Sequence, residues 1–422
     1  MRRSLPDGFS AAIMAAESVE NAAVLLHGPG GCRVRHMVYS EAVYPRKNSP
    51  RIEYAEDYFY WYPRVPATYL DGYDFINGAY YKTAEALPMV DASGADLIVI
   101  INSPGAGLIG DDHGSAANRL GLGDKTIILD ESLSSMPAPE CYGGMLRRIM
   151  EHLSPQRETV IKGSVNLLGL SLFDKDREDA REELQGMMES MGLTVISCPG
   201  AGASIADLRK SVLAEYNIIV CPEFCSGLRE YYESLGIPSV RSPAGAPAGF
   251  DACEAWIKTI SEKTGCDPSP ALEIIKKERK KAYEKLRGQG YRAMRIKGLT
   301  FSAAGLSSVI RPLTLWLHGY LSMAPCAVSP DPGSDPEETE LLRDFLEKQG
   351  FSGVFGKEPV PCDAVLCEGL TANLMKSAGE CRIEISIGYT GFRTDNVIPR
   401  PVYGILGSRY ILDELLRGAK DV

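Results

Sequence analysis

The sequence predicts an α/β protein of three similar αβ units in tandem, each with a mostly parallel sheet. Three observations carry this. Short apolar runs of β type alternate with longer amphipathic helical patterns along the whole chain, as parallel β–α–β units require. At 422 residues the length allows about three domains of ordinary size. Breakers at Ser154-Pro155 and through Ser242–Pro247 punctuate the pattern.

Taken in order, the first unit covers residues 1–155, with strands expected at Ala22–His27, Asp96–Asn102 and Thr126–Asp130 and a helix after each. The second covers 156–290. Its strands are Val165–Leu170, Thr194–Ser197 and Ile218–Cys221, with a helix over Lys175–Met191. Two connecting helices follow at about Ala252–Lys263 and Pro270–Gly288; the latter carries the run Lys276–Lys281, a docking patch or simply a solvated helix face. The third unit covers 291–422, with strands at Ala324–Val328, Asp363–Cys367 and Arg382–Ile387. A turn at Ser329–Pro336 leads into an amphipathic helix over Glu337–Gln349. The C-terminal segment is expected to pack back on the first unit.

Composition excludes several classes. A formal charge of −10 works against binding a phosphate backbone, so no nucleic acid is expected. No apolar run approaches the roughly 18 residues of a membrane span, and Asp7, Glu17 and Glu20 interrupt the N-terminal stretch where a signal peptide would be apolar. A soluble, cytoplasmic protein without a membrane partner is expected. Eleven cysteines are an odd number scattered along the chain, which reads as reduced thiols. Cys221-x3-Cys225 and Cys362-x4-Cys367 lack the second half of a zinc site.

The strongest local signal is Val24-Leu25-Leu26-His27-Gly28-Pro29-Gly30-Gly31-Cys32, a strand running into a glycine turn that delivers one thiol to a helix start. Free N–H groups and partial positive charge there favour a thiolate, and Gly28, Gly30 and Gly31 let backbone approach a bulky inorganic ligand. A tight βα turn with an incidental cysteine is the competing account. It is not a P-loop, since no Lys-Ser or Lys-Thr follows, and Gly356-Lys357 fails likewise. The second signal is the strand Asp96–Asn102 followed by Gly105-x-Gly107-x-x-Gly110, with Asp130 beyond. On pattern alone this is an NAD- or flavin-type fingerprint. Asp111 and Asp112 argue against it, because they place two carboxylates where a pyrophosphate would sit.

Together, Leu26–Cys32 and Ile109-Gly110-Asp111-Asp112 resemble the two cluster-binding segments of the nitrogenase component 1-like family. That family includes dark-operative protochlorophyllide reductases and nickel-sirohydrochlorin reductive cyclases, and Cys32-Arg33-Val34-Arg35-His36 is similar to the latter. Asp74–Ala79, Tyr231–Pro238 and Pro401-x-x-Gly404-x-x-Gly407 resemble further family segments. The resemblance implies three Rossmann-like αβ domains around a central cleft. It also implies an iron–sulfur cluster, 4Fe-4S in type, shared at a subunit interface and supplied with electrons by a separate ATP-dependent iron protein. Cys32 is then the cluster ligand.

Two of the family's thiolates are missing, since Pro6 and Pro104 stand near where cysteines belong; Ser103 is the adjacent substitute. Four-iron clusters take four ligands. The rest would come from a second component 1-like subunit or, in a self-dimer, from the same chain. The resemblance implies a reductase subunit passing low-potential electrons to an unsaturated substrate such as a tetrapyrrole. An assembly scaffold or carrier without turnover and a degenerate binding protein are the other classes. Cys225, His36, His113 and the aromatic run Tyr54–Tyr62 are the remaining candidates for the cleft or the cluster's surroundings.

Overall fold

The computed structural model describes residues 3–33, 65–287, 296–389 and 396–419. Three parallel sheets follow one another along the chain. The first orders β1 (Ala22–His27), β2 (Leu97–Asn102) and β3 (Thr126–Leu129) as β1-β2-β3. The second contains β4 (Ile161–Leu168), β5 (Thr194–Ser197), β6 (Ala214–Ile219) and β7 (Ser239–Val240) in the order β5-β4-β6-β7. In the third, β8 (Thr300–Gly305), β9 (Ala324–Pro330), β10 (Ala364–Cys367) and β11 (Ile383–Ser386) run β11-β10-β8-β9. The expected α/β class with mostly parallel sheets is therefore what the chain adopts.

Strands covered on both faces read as continuous apolar runs rather than alternating ones. β2 is the clearest case: Leu97-Ile98-Val99-Ile100-Ile101 are all buried, and each contributes about 1.5–3 kcal/mol of burial. Two strands lack a sequence signal. β7 has only two residues, and β8 is Thr-Phe-Ser-Ala-Ala-Gly, too small and polar to stand out, yet it pairs with both β10 and β9. Small side chains suit a central strand that helices approach closely, a demand set by position in the sheet.

Helix Gly8–Glu17 is also absent from the sequence expectation. Every residue in it is buried, so it has no polar face to give a helical period. Asp7 caps it by accepting from Ser10 N at 2.9 Å, and it packs chiefly against helix Ala138–Leu153. At Gly8 a Cβ would overlap the Cys141 thiol and the Leu133 carbonyl, so contact between the two helices depends on that glycine.

The C-terminal helix, Gly404–Gly418, corrects an expectation. It packs on helices Arg177–Ser190, Phe250–Thr264 and Ser269–Arg287 and on β11, joining the second and third units rather than returning to the first. Glu183 fixes it there by accepting from Leu406 N at 3.1 Å, filling the acceptor role a helix N-terminus requires. The basic run on helix Ser269–Arg287 is a salt-bridged face: Arg279 meets Asp251 and Glu254, and Lys281 meets Glu278. Among the described residues, no helix is long and apolar enough to cross a membrane.

Candidate functional site

β1 ends at His27, and the chain passes through Gly28-Pro29 into a helical turn beginning at Gly30. Cys32 N donates to Pro29 O at 3.1 Å, closing that first turn. The thiol is free and half-buried at the margin of the main core. Gly28 is required: parallel register sets His27 beside Asn102, so the next residues, Gly28 and Ser103, meet across the strand ends. A Cβ at Gly28 would overlap the Ser103 side chain, and Ser103 N donates to His27 O at 2.8 Å. Gly30 lies against the Tyr69 ring, 3.0 Å from where its Cβ would be, whereas Gly31 faces open space.

Ser103 Oγ is buried without a hydrogen-bond partner. A buried hydroxyl left unpaired costs about 1–3 kcal/mol, so this is a place where a ligand group would be welcome. Of the expected site residues, the strand ends bring Ser103 against Gly28, four residues before Cys32. Residues 34–64, which hold His36 and Tyr54–Tyr62, lie outside the described residues.

Beneath the loop lies a polar network that sequence reasoning does not assemble. His27, at 0% exposure, and His113 are both buried, with ring centroids 4.5 Å apart. His113 Nε2 donates to Asn102 Oδ1 at 3.0 Å, and Asn102 Nδ2 donates to Asp130 at 2.8 Å. Thr83 Oγ1 lies 3.2 Å from both histidine Nδ1 atoms. Burial, then the neighbouring His113, pushes His27 down to about 4 although Asp111 opposes this; burial lowers His113 also. Both rings are therefore neutral near pH 7 and act as hydrogen-bonding groups. The available signal was a histidine ending an otherwise apolar strand. Its partners lie on three other segments, so the network itself had no sequence period.

The second segment bears out the case against the dinucleotide reading. Gly105 and Gly110 have φ of +93° and +76°, so they serve left-handed turns. Asp112 caps helix His113–Arg119, accepting from Ser115 N at 2.9 Å, and Asp111 accepts from Ala79 N at 3.0 Å. The helix start is thus occupied by the chain's own carboxylate, leaving no room for a pyrophosphate.

Cys225 is likewise not a cleft ligand. It is 1% exposed, its thiol directed at the Cys221 and Pro222 carbonyls, and burial pushes it up to about 12. Among the described residues, no group of three or more His, Cys, Asp or Glu side chains is arranged to hold a metal ion. The Cys32 thiol and the unpartnered Ser103 hydroxyl by themselves do not make a whole metal site.

Two surfaces complete the site. Tyr69, which lies against Gly30, and Tyr73, Phe75, Ile76 (83% exposed) and Leu108 (92%) present apolar side chains to solvent, and Leu70, Ala79 and Ala106 on the same segments form a small core. Farther off, the segments following β3, β6 and β9 border a cleft of about 740 Å³ lined by Glu131, Met136, Arg148, Glu223, Ser226 and Asp335. This is the position, beyond the carboxyl ends of strands, where α/β sheets bind ligands.

The comparisons agree with this architecture. A light-independent protochlorophyllide reductase subunit of Rhodospirillum rubrum is 29% identical over 206 residues, 46% of this chain and 37% of the relative. The corresponding protein of Methylocella silvestris is 29% identical over 182 residues, 42% and 35% of the two chains. The matched region spans only a little over a third of these relatives' length. The solved structure of nitrogenase Cp1 at pH 6.5 superposes over 100% of this chain and 94% of that one with a TM-score of 0.75 at 15% identity, a likeness of fold. The family model for nitrogenase component 1 type oxidoreductases matches residues 8–390, and the chain belongs to that family.

Proposed function

We propose that the chain is one component of a nitrogenase-like reductase, with Cys32 as its ligand to an iron–sulfur cluster, 4Fe-4S in type, shared at a subunit interface. One observation carries this reading: an unpartnered Ser103 hydroxyl lies against Gly28, four residues before a half-buried free thiol at Cys32, and the segment that packs on this loop exposes Tyr69, Tyr73, Phe75 and Ile76. Apolar patches of this kind mark protein–protein contact. An incomplete ligand set beside such a patch calls for a second chain, of component 1 type, to bring the remaining ligands. A self-dimer is the alternative.

A cluster bound there supplies low-potential electron transfer, with an ATP-dependent iron protein as electron source. This chain's own contribution is to present Cys32 on a loop whose Gly28 and Gly30 allow close approach of Ser103 and Tyr69, with Gly31 leaving open space beside the thiol's turn. The cleft is the proposed place for an unsaturated substrate, and the relatives named for protochlorophyllide reduction favour a tetrapyrrole. Domain limits of 1–155, 156–290 and 291–422 are proposed with it. Eleven free cysteines suit a reducing, cytoplasmic setting.

The test is anaerobic purification with co-expressed neighbouring gene products, followed by iron and sulfide analysis of wild type and Cys32→Ala. Iron in wild type and its loss in the variant are expected. Wild type without iron, or a variant that keeps all of it, would sink the reading. ATP-dependent turnover with an iron protein then separates a reductase from a scaffold.

A further inference from the structure

The segments Leu26–Cys32, Asp74–Ala79 and Ile109–Asp112 are far apart in the chain, yet one carboxylate joins all three. Both oxygens of Asp111 lie 3.0 Å from Ala79 N, at the start of helix Tyr80–Ala92. Asp111 Oδ2 also lies 3.1 Å from His27 Nε2. An ionised carboxylate only accepts, so the network assigns the His27 proton to Nε2 and leaves Nδ1 as an acceptor. Thr68 Oγ1, 3.2 Å away, donates to Nδ1 and itself accepts from Gly28 N at 3.1 Å. Thr83 can then donate its single proton to His113 Nδ1, and every group in the network is satisfied. The opposite side of Gly28 is held as well, since Leu70 N donates to Gly28 O at 3.1 Å. The residue that starts the Cys32 turn is thus tied at its N–H, through two side chains, to a buried carboxylate on another segment.

We propose that Asp111 and His27 are positioning residues for Cys32, holding the loop so that the thiol is presented at a fixed place. The neighbouring Asp112 provides the contrast. It caps helix His113–Arg119 through Ser115 N and Oγ and makes no bond to the loop, so its role ends with the helix. Partners of metal ligands commonly set metal affinity by about 10–100-fold; here the Asp111 chain ends at Gly28 N, four residues before Cys32, and acts on the thiol through the loop backbone. The proposal rests on Cys32 being the cluster ligand, but positioning of the thiol can be read without any metal.

The experiment uses the full chain as wild type, Asp111→Ala, Asp111→Asn, His27→Gln and Asp112→Ala. In the iron-free, reduced protein, alkylation of Cys32 by iodoacetamide is followed by peptide mass, and melting temperature is recorded alongside. After anaerobic reconstitution, retained iron is measured. Asp111→Ala and His27→Gln are expected to raise the Cys32 alkylation rate severalfold and to weaken iron retention by about tenfold or more. Asp111→Asn, which keeps an acceptor for His27, should recover part of both. Asp112→Ala should lower the melting temperature and leave both readings at wild type. If Asp111→Ala and Asp112→Ala differ from wild type only in melting temperature, positioning is overturned. Should Asp111→Ala fail to fold, wild-type alkylation in both Asp111→Asn and His27→Gln overturns it equally. Alkylation that responds as expected in a chain that never holds iron would reject the cluster reading while keeping the positioning role.

Discussion

Two strand ends in this molecule share a local grammar and differ in outcome. After β1 the chain runs through Gly28-Pro29-Gly30-Gly31 to Cys32; after β6 it runs through Cys221-Pro222-Glu223-Phe224 to Cys225 and a helix from Ser226. The first thiol is half-buried at the margin of the main core. The second is 1% exposed, its thiol turned onto the Cys221 and Pro222 carbonyls. Chemistry at a cysteine follows access and thiolate character, and those come from what other segments lay over the turn. Glycine content is the visible local difference. Gly28 and Gly30 keep side-chain bulk away from the loop, whereas Glu223 and Phe224 pack into the interior.

The largest effect that sharpens this comparison is on iron. Cys32→Ala should abolish nearly all cluster iron, while Cys225→Ala should keep it and instead lower stability by about 1–3 kcal/mol through lost packing; equal iron loss in both would erase the distinction. Next comes the loop backbone. Gly28→Ala must displace Ser103 and should cost about 1–3 kcal/mol, whereas Gly31→Ala meets nothing within 4 Å and should sit within about 0.5 kcal/mol of wild type, as urea unfolding midpoints would report. Ser103→Ala offers a smaller effect. Removing an unpaired buried hydroxyl should leave stability unchanged or raise it by up to about 1 kcal/mol, so any fall in iron content would mark a ligand role.

The smallest and broadest effect is on pH. His27 is pushed down to about 4 by burial, so its contribution to stability is complete above the ordinary histidine range near 6.5 and is lost as pH falls through about 4. Glu183, which holds the C-terminal helix, is raised to about 7 by burial. Its contribution is complete below the ordinary glutamate value near 4.5 and is lost as pH rises through about 7. Denaturation midpoints from pH 4 to 8 should therefore change in opposite senses for His27→Gln and Glu183→Gln relative to wild type. Parallel profiles would contradict the assignment of these groups to their two regions.

Much of the fold was readable because strands buried on both faces leave apolar runs, as in β2 and β10. Helix Gly8–Glu17 and β8 were not, for the same physical reason: residues buried on all sides, or small enough for close approach, carry no period. The loop's glycines and Cys32 were readable as a unit, since strand, turn and helix start are local. The two aspartates after Gly110 already spoke against the dinucleotide pattern, but spacing does not tell that Gly105 and Gly110 serve left-handed turns. Nor does spacing place Asp111 against His27.

Amino-acid order alone determined the alternation of strands and helices, the three-unit architecture and the glycine turn that offers Cys32, because these depend on residues within a few positions of one another. Tertiary structure decided which thiol is accessible, which carboxylate holds the loop and where the C-terminal helix lies. Those outcomes depend on burial and on partners brought together across the chain, such as Ser103 against Gly28 and Glu183 against Leu406, and distance along the sequence holds no trace of them.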